Sequence, residues 1–388
     1  MTELELLFLV LALLYLWDCA CWLRRGSAGI RTWLGYRWQV VHPGTLLGNA
    51  RGGFILAAPL PPLGSVFITH QLPVSLSPEA VLAFVPSSLN PGWRPPQTGK
   101  CIGWDQMLRV EARGAGVHVN GEPLLKAATP GLAAHLADTL RTLKELPLAR
   151  RQAALQKLLH ESLQSRLVAQ RWQEFKLAAT PLRLLTNGLF LYLFIAVPLS
   201  IGHFGLSGSW PVLLAVLVAF TVTIAVAFRR LHRVFFPEAE EERFTHFLIV
   251  LLSPVSAVRA LDLLSRPLLE RFHPLAVAQN FCQPRQFRAF AAALLRELRH
   301  PGLPTSPAGE PRAAEAEASW RKLCLSEVES FLGENGIAPE ELMRPPLLTE
   351  PGCVSYCPRC LAQFTSPTGV CQDCGGVALL RISLPAGQ

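Results

Sequence analysis

Four cysteines near the C-terminus have the types and spacing to do chemistry. Cys357-Pro-Arg-Cys360 and Cys371-Gln-Asp-Cys374 are two Cys-x-x-Cys pairs separated by ten residues. A two-residue gap lets a tight turn aim both sulfurs at one point, and two such turns supply four thiolates for one tetrahedral ion. Gly375 and Gly376 follow the second pair directly, and glycine accepts the left-handed backbone that such a turn commonly needs. Between the pairs, Leu361-Ala-Gln-Phe-Thr365 suits a strand and Ser366-Pro-Thr-Gly369 its turn, with residues 377–382 as the partner strand. Four thiolates leave no coordination position open. The expected role is therefore structural, a Zn2+ ion whose binding stabilises a module too small to have much core of its own. Cys353, four residues ahead of the first ligand, reads as a strand residue beside the site.

Residues 353–384 resemble the zinc-ribbon family at the four ligand positions Cys357, Cys360, Cys371 and Cys374. The resemblance implies a zinc centre of four cysteine ligands and covers this module alone. A rubredoxin-like iron site would use similar spacing, whereas a redox dithiol needs only one pair. Zinc ribbons often meet nucleic acid, but this one offers only Arg359 and Arg381 against Asp373. That is too little charge to hold a phosphate backbone unaided, and a protein partner fits better.

Other residue types that do chemistry are dispersed. Asp18, Cys19 and Cys21 fall at the end of an apolar run flanked by Trp17 and Trp22, and read as interfacial residues. Asn187 and His203 lie toward opposite ends of a second apolar run, too far apart to cooperate. His246, Arg259 and Asp262 are the polar residues that an enzyme working at the bilayer surface would use. No Gly-x-Ser-x-Gly, phosphate loop, dinucleotide fingerprint or His-x-x-x-His pair occurs.

The elements that must position these residues are those of a membrane protein. Charged residues make up 16% of the 388-residue chain, against about 25% for soluble domains. The net charge of +8 is gathered beside apolar runs, at Arg24, Arg25, Arg31 and Arg37, at Arg171, Lys176 and Arg183, and at Arg229, Arg230 and Arg233. Cationic flanks of this kind face the cytoplasm and anionic lipid.

Residues 6–23 are long enough to cross a bilayer. Glu3 and Glu5 before them and Arg24 and Arg25 after them place residues 1–5 outside, as a retained anchor rather than a cleaved signal. Thr180-Pro181 reads as a helix start leading into a second span, residues 184–203. A turn at Gly205 to Ser209 leads to a third, residues 211–228. Residues 247–258 are too short to cross and pass into an amphipathic helix, so residues 244–300 are expected to lie at the interface or beneath the bundle.

The remaining segments are expected in the cytoplasm, a reducing compartment that suits thiolates. Residues 36–147 read as β-rich with a closing helix, in an order resembling a pleckstrin-homology-like barrel. Asn120-Gly121 is the clearest turn signal. Residues 148–180 read as one long helical stalk with Leu155, Leu159, Leu163 and Leu167 as its stripe, continued by Trp172 and Phe175. Residues 301–312 form a linker and residues 313–345 an amphipathic helical region.

The fold class expected is thus a membrane α+β protein with three transmembrane helices, a cytoplasmic β-rich domain on a helical stalk, and a C-terminal zinc ribbon. The expected place is a bacterial inner membrane, multi-pass, with the C-terminus cytoplasmic. The expected function is an adapter or scaffold whose partners are the lipid bilayer and further proteins. An enzyme or transport accessory at the bilayer surface is the alternative. Tethered nucleic-acid binding, through the ribbon and a basic helix from Arg285 to Arg299, is a second.

Overall fold

The structure is a computed structural model. It describes residues 2, 4–13, 39–40, 53–60, 64–71, 74–84, 98–127, 130–236, 243–244, 247–248, 268, 272–281, 284–301, 311–349 and 351–382. Within these residues the chain is a mixture of helices and small antiparallel sheets.

Nine strands form three meanders. The first joins β1 (Gln39–Val40), β2 (Gly53–Leu60) and β3 (Gly64–Gln71). The second joins β4 (Val74–Leu76), β5 (Ala80–Phe84) and β6 (Thr98–Gly103). The third joins β7 (Val110–Arg113), β8 (Gly116–Val119) and β9 (Glu122–Lys126). Among the described residues no strand of one meander pairs with a strand of another.

Asn120 and Gly121, at φ 52° and 86°, make the two-residue turn between β8 and β9. The Asn120 amide oxygen also accepts the N–H groups of Leu108 (2.8 Å) and Arg109 (3.0 Å), and its nitrogen donates to the Gln106 carbonyl (2.8 Å). One side chain thus joins the β8–β9 turn to the approach of β7.

Helix α2 (Pro130–Glu145) closes the third meander; α1 is the short apolar helix Leu4–Leu13. Leu132, Ala133, Ala137, Leu140 and Leu143 of α2 pack on Val81, Trp104, Met107, Val110, Val117 and Val119. Helix α3 (Leu148–Ser162) follows after Pro147. Its Arg151 is the clamp of this region. The guanidinium donates to the carbonyls of Leu143 (2.8 Å), Leu146 (2.6 Å) and Pro78 (2.7 Å), and lies 4.9 Å from the centroid of the Trp104 ring. A cation there meets carbonyls at the α2 C-terminus that have no partner within the helix, while Trp104 Nε1 donates to Ser77 O at 2.9 Å.

The expected single stalk is two helices, because the chain breaks at Leu163 and Gln164 before α4 (Ser165–Leu191). The break is held from outside. The Ser162 carbonyl accepts the N–H of His273 (2.8 Å) and the Ser165 carbonyl accepts Asn280 Nδ2 (2.9 Å). Both partners belong to or adjoin α6 (Pro274–Phe281). The break also shifts the apolar stripe: Leu155, Leu163, Trp172 and Phe175 are buried, but Val168 takes the core position that the spacing assigned to Leu167, which is exposed. Leu275, Ala276, Val277 and Ala278 of α6 lie wholly within the same core. This part of the stretch expected at the interface or beneath the bundle carries no charge and packs in that core.

Where three spans are expected, the described residues contain one helical segment long and apolar enough to cross a membrane, Ser165–Phe235. It runs through α4, a π-turn at Tyr192–Ala196 and α5 (Val197–Phe235). Pro181, expected to start a helix, sits inside α4. The π-turn precedes Pro198, whose missing N–H and bulky ring disturb the ladder one turn back; Val197 N–H accordingly bonds to Tyr192 O.

The segment is not straight. Gly205 has φ 71° and ψ 162°, outside the helical region, and beyond it α5 returns along α4. The Phe175 and Phe235 rings are 5.5 Å apart, although sixty residues of straight helix would separate them by roughly 90 Å. Tyr192 donates its hydroxyl to Leu213 O at 2.5 Å, and a Cβ at Gly188 would meet the Phe220 ring at 3.1 Å. Ile224, Phe228 and Leu231 face Phe175, Leu182 and Leu189 across the seam.

Helices α7 (Pro284–Arg299) and α8 (Pro311–Glu334) complete the body, with α9 (Pro339–Leu342) after them. α8 touches both halves. Its Ala313 and Ala316 pack on Ala80 and Leu82, and its Val328, Phe331 and Leu332 join the core of α4–α7. Midway, the buried Glu327 accepts Gln156 Nε2 at 2.8 Å and lies 3.3 Å from His160 Nδ1, which ties α8 to α3.

Arg151→Ala is expected to destabilise the β region by on the order of 3 kcal/mol, since it strips several charge-assisted bonds at once. Arg151→Lys should recover little, because an ammonium cannot reproduce the planar fork. Denaturant midpoints followed by Trp104 fluorescence test both expectations.

Candidate metal centre

The C-terminal module is built from two small sheets of very short strands. β10 (Ser355–Tyr356) lies between β11 (Gln363–Phe364) and β14 (Leu380–Arg381), while β12 (Val370–Cys371) pairs with β13 (Val377–Ala378). Cys357 directly follows β10, and Cys371 ends β12. Each cysteine pair therefore sits where a strand gives way to a turn.

The turns are closed by backbone bonds. Leu361 N–H donates to Cys357 O at 2.8 Å, and Gly376 N–H donates to Cys371 O at 2.9 Å. Past the second pair, Gly375 and Gly376 adopt φ 70° and 86°. Past the first, Leu361 adopts φ 65°, a left-handed conformation that costs a non-glycine residue roughly 1–2 kcal/mol.

These turns bring the four sulfurs together, all within 4.8 Å of one another. Cys360 Sγ and Cys371 Sγ are 3.8 Å apart. A tetrahedral ion with metal–sulfur bonds of about 2.3 Å separates neighbouring sulfurs by about 3.8 Å, so the set fits an ion, and it is far too wide for a disulfide. Cys357 and Cys371 are fully buried with Val377, Cys360 is exposed and Cys374 half-buried. Cys353 is buried beside the cluster but is not one of the four.

The sulfurs share protons. Hydrogen bonds from Cys360 and Cys374 hold the Cys357 thiol far below its ordinary value, to about 2. The same contacts push Cys360 up to about 11 and Cys374 higher still. Four close thiolates repel one another, and a cation among them removes that obstacle. The cluster can hold a metal ion.

Around it lies a polar seat that the cysteine spacing does not disclose. Arg359, between the first two cysteines, donates to Cys374 O at 3.3 Å and to Glu297 Oε1 of α7 at 3.1 Å. Arg321 of α8 pairs with Glu317 at 2.7 Å close by. Burial lowers the proton affinity of Arg296 on α7 and of His300 just past its end; the cysteine sulfurs act the other way, Cys360 on Arg296 and Cys357 on His300. The sequence signal was the arginine inside the Cys-x-Arg-Cys turn, whose partner is 62 residues away.

Of the other candidates, Asn187 and His203 lie among the described residues. Asp18, Cys19, Cys21, His246, Arg259 and Asp262 lie outside the described residues. Asn187 is on α4 and His203 near the start of α5, sixteen positions apart. Cys324 shares α8 with Glu327, but burial pushes its thiol up to about 12 and it packs in the core with Val328 and Phe331. It is a protonated packing residue rather than a nucleophile. A shallow cavity of about 450 Å³ over β8 and β9 is lined by Arg113, Gly116, His118, Leu124 and Leu125, among others, and contains no carboxylate or thiol. Comparison with protein-family models, curated proteins and solved structures finds no match.

Two measurements follow from this geometry. Gly375→Ala forces a side chain into a left-handed turn and should weaken metal retention by about 1 kcal/mol or more, read by competition with a chelator. Cys324 should resist iodoacetamide in the folded chain near about pH 8.5, where an ordinary thiol is half ionised, and react once the chain is denatured.

Proposed function

We propose that the chain is a multi-pass membrane adapter whose C-terminal zinc module and β region form binding surfaces at the cytoplasmic face. The observation that carries this reading is the α4–α5 hairpin. Its outward faces expose Leu184 (65%), Leu199 (68%), Phe204 (69%), Val212 (66%) and Val222 (57%). An apolar surface that continuous on a folded protein marks contact with lipid or another apolar partner.

The dimensions favour lipid. From Arg183 to Gly205 and from Gly205 to Arg229 the arms run roughly 33 and 36 Å at 1.5 Å per residue, and neither stretch holds a charged residue between its ends. Each arm matches a hydrocarbon core of about 30 Å. The reversal at Gly205 makes two crossings of what is otherwise one helical segment. Leu4 Cδ1 would lie 3.4 Å from a Cβ at Gly202, so the apolar N-terminal helix begins beside the hairpin tip. That supports residues 6–23 as a third crossing, running inward from the tip side as α5 does. Arg229, Arg230 and Arg233, all exposed, mark the inner boundary.

Zinc is the ion we assign to the cysteines, from the all-sulfur donor set and its tetrahedral spacing. With every position taken by protein, the ion would stabilise the module and do no chemistry. An adapter accounts for such a saturated centre better than an enzyme does. Nucleic-acid binding is disfavoured because two of the four cations of the basic helix are paired within the protein and a third, Arg296, is largely buried. Arg299 pairs with Glu329 at 2.6 Å, and Arg288 lies 3.7 Å from Glu341.

Purified protein is expected to carry about one zinc ion per chain, lost in the Cys371→Ser, Cys374→Ser double variant. Iron in its place would redirect the reading to electron transfer. Affinity capture from detergent should recover a defined protein partner; repeated capture of folded chain alone would argue against the adapter role.

A further inference from the structure

We propose that Arg359 and Arg296 are positioning residues that balance the charge of the loaded metal centre, so that metal binding and seating of the C-terminal module on α7 form one linked equilibrium. The inference rests on the reading of Cys357, Cys360, Cys371 and Cys374 as ligands. Four thiolates around a divalent ion carry a net charge of −2, and a centre so charged against a protein surface needs cations within reach.

The seat supplies them. Arg359 comes from the first cysteine turn, bonds to the carbonyl of Cys374 in the second, and reaches Glu297 on α7. It is only 20% exposed and Glu297 only 16%. One side chain thus ties both halves of the ligand set to the helical body. Next to Glu297, the Nε of Arg296 is buried with no hydrogen-bond partner among the described residues. A buried guanidinium N–H without an acceptor is unfavourable, and a metal-bound thiolate is an acceptor of the right charge. Without the ion Arg359 keeps only Glu297 as a charged partner among the described residues and Arg296 has no charged centre to face, so the hold of α7 on the module weakens.

The test uses the full chain in detergent and zinc alone. Zinc affinity is measured by chelator competition for the wild type and for Arg296→Gln, Arg359→Gln, Arg296→Lys and Arg359→Lys, with cobalt spectra reporting a tetrahedral sulfur site in each. Each glutamine variant is expected to bind zinc about tenfold more weakly or worse, and the lysine variants to keep most of the affinity. Hydrogen exchange in residues 284–299 should rise in the wild type over the chelator range that strips zinc. Affinities within about twofold across all five proteins, or exchange in α7 that ignores metal removal, would overturn the inference and leave the metal site standing. A wild type that takes up no zinc would remove the ligand reading itself, and this inference with it.

Discussion

The seam between α4 and α5 is the constraint on which the rest of the molecule depends. Phe175, Leu182 and Leu189 close on Ile224, Phe228 and Leu231, and the same helices turn exposed leucines, valines and phenylalanines outward. A bilayer offers backbone groups no hydrogen-bond partners, so a segment within it must satisfy them internally, as helices do. Helices packed there must also gain from close fit rather than from expelling water. Gly188 against Phe220, and Tyr192 bonded to Leu213 O, are contacts that would serve in that setting. The reversal at Gly205 is what allows one helical segment to supply both sides of the seam.

Below the seam the core does not stop. Leu163, Val168 and Trp172 carry it down to α6, α7 and α8, which are buried against the same stretch of α4. α8 then extends to the β region, where Arg312 pairs with Asp105 and Ser319 donates to Glu79 at 2.9 Å. It also leads toward the cysteine module, whose Arg359 returns to α7. Hairpin, β region and metal module thus meet on two neighbouring helices. That arrangement would suit the adapter role proposed above, in which a binding surface is held at a fixed relation to its anchor.

Much of this was legible in the sequence where the signal is local. The Asn120-Gly121 turn, the β runs and the cysteine pairs each depend on a few adjacent residues, and the structure places them together as the spacing implies. Long-range docking was not legible. The stalk breaks at Leu163 because His273 and Asn280 take the carbonyls of Ser162 and Ser165, and no periodicity within residues 148–180 encodes partners a hundred residues away. Pro181 looked like a helix start, yet α4 runs straight through it. Leu361 carries the left-handed turn after the first cysteine pair without the glycine that would have announced it. The cations of the seat were seen as a basic helix face; their pairing with Glu297 and the cysteines required the fold.

The central claim is that the apolar hairpin crosses the membrane with its tip and the metal module on opposite sides. Protease treatment of sealed vesicles with the cytoplasmic face outward tests it, using one epitope inserted after Ser207 and another at the C-terminus. The C-terminal epitope is expected to be cleaved at once, while the tip epitope survives until detergent opens the vesicles. Cleavage of both epitopes in intact vesicles would contradict the claim, placing the hairpin on the surface rather than across the bilayer.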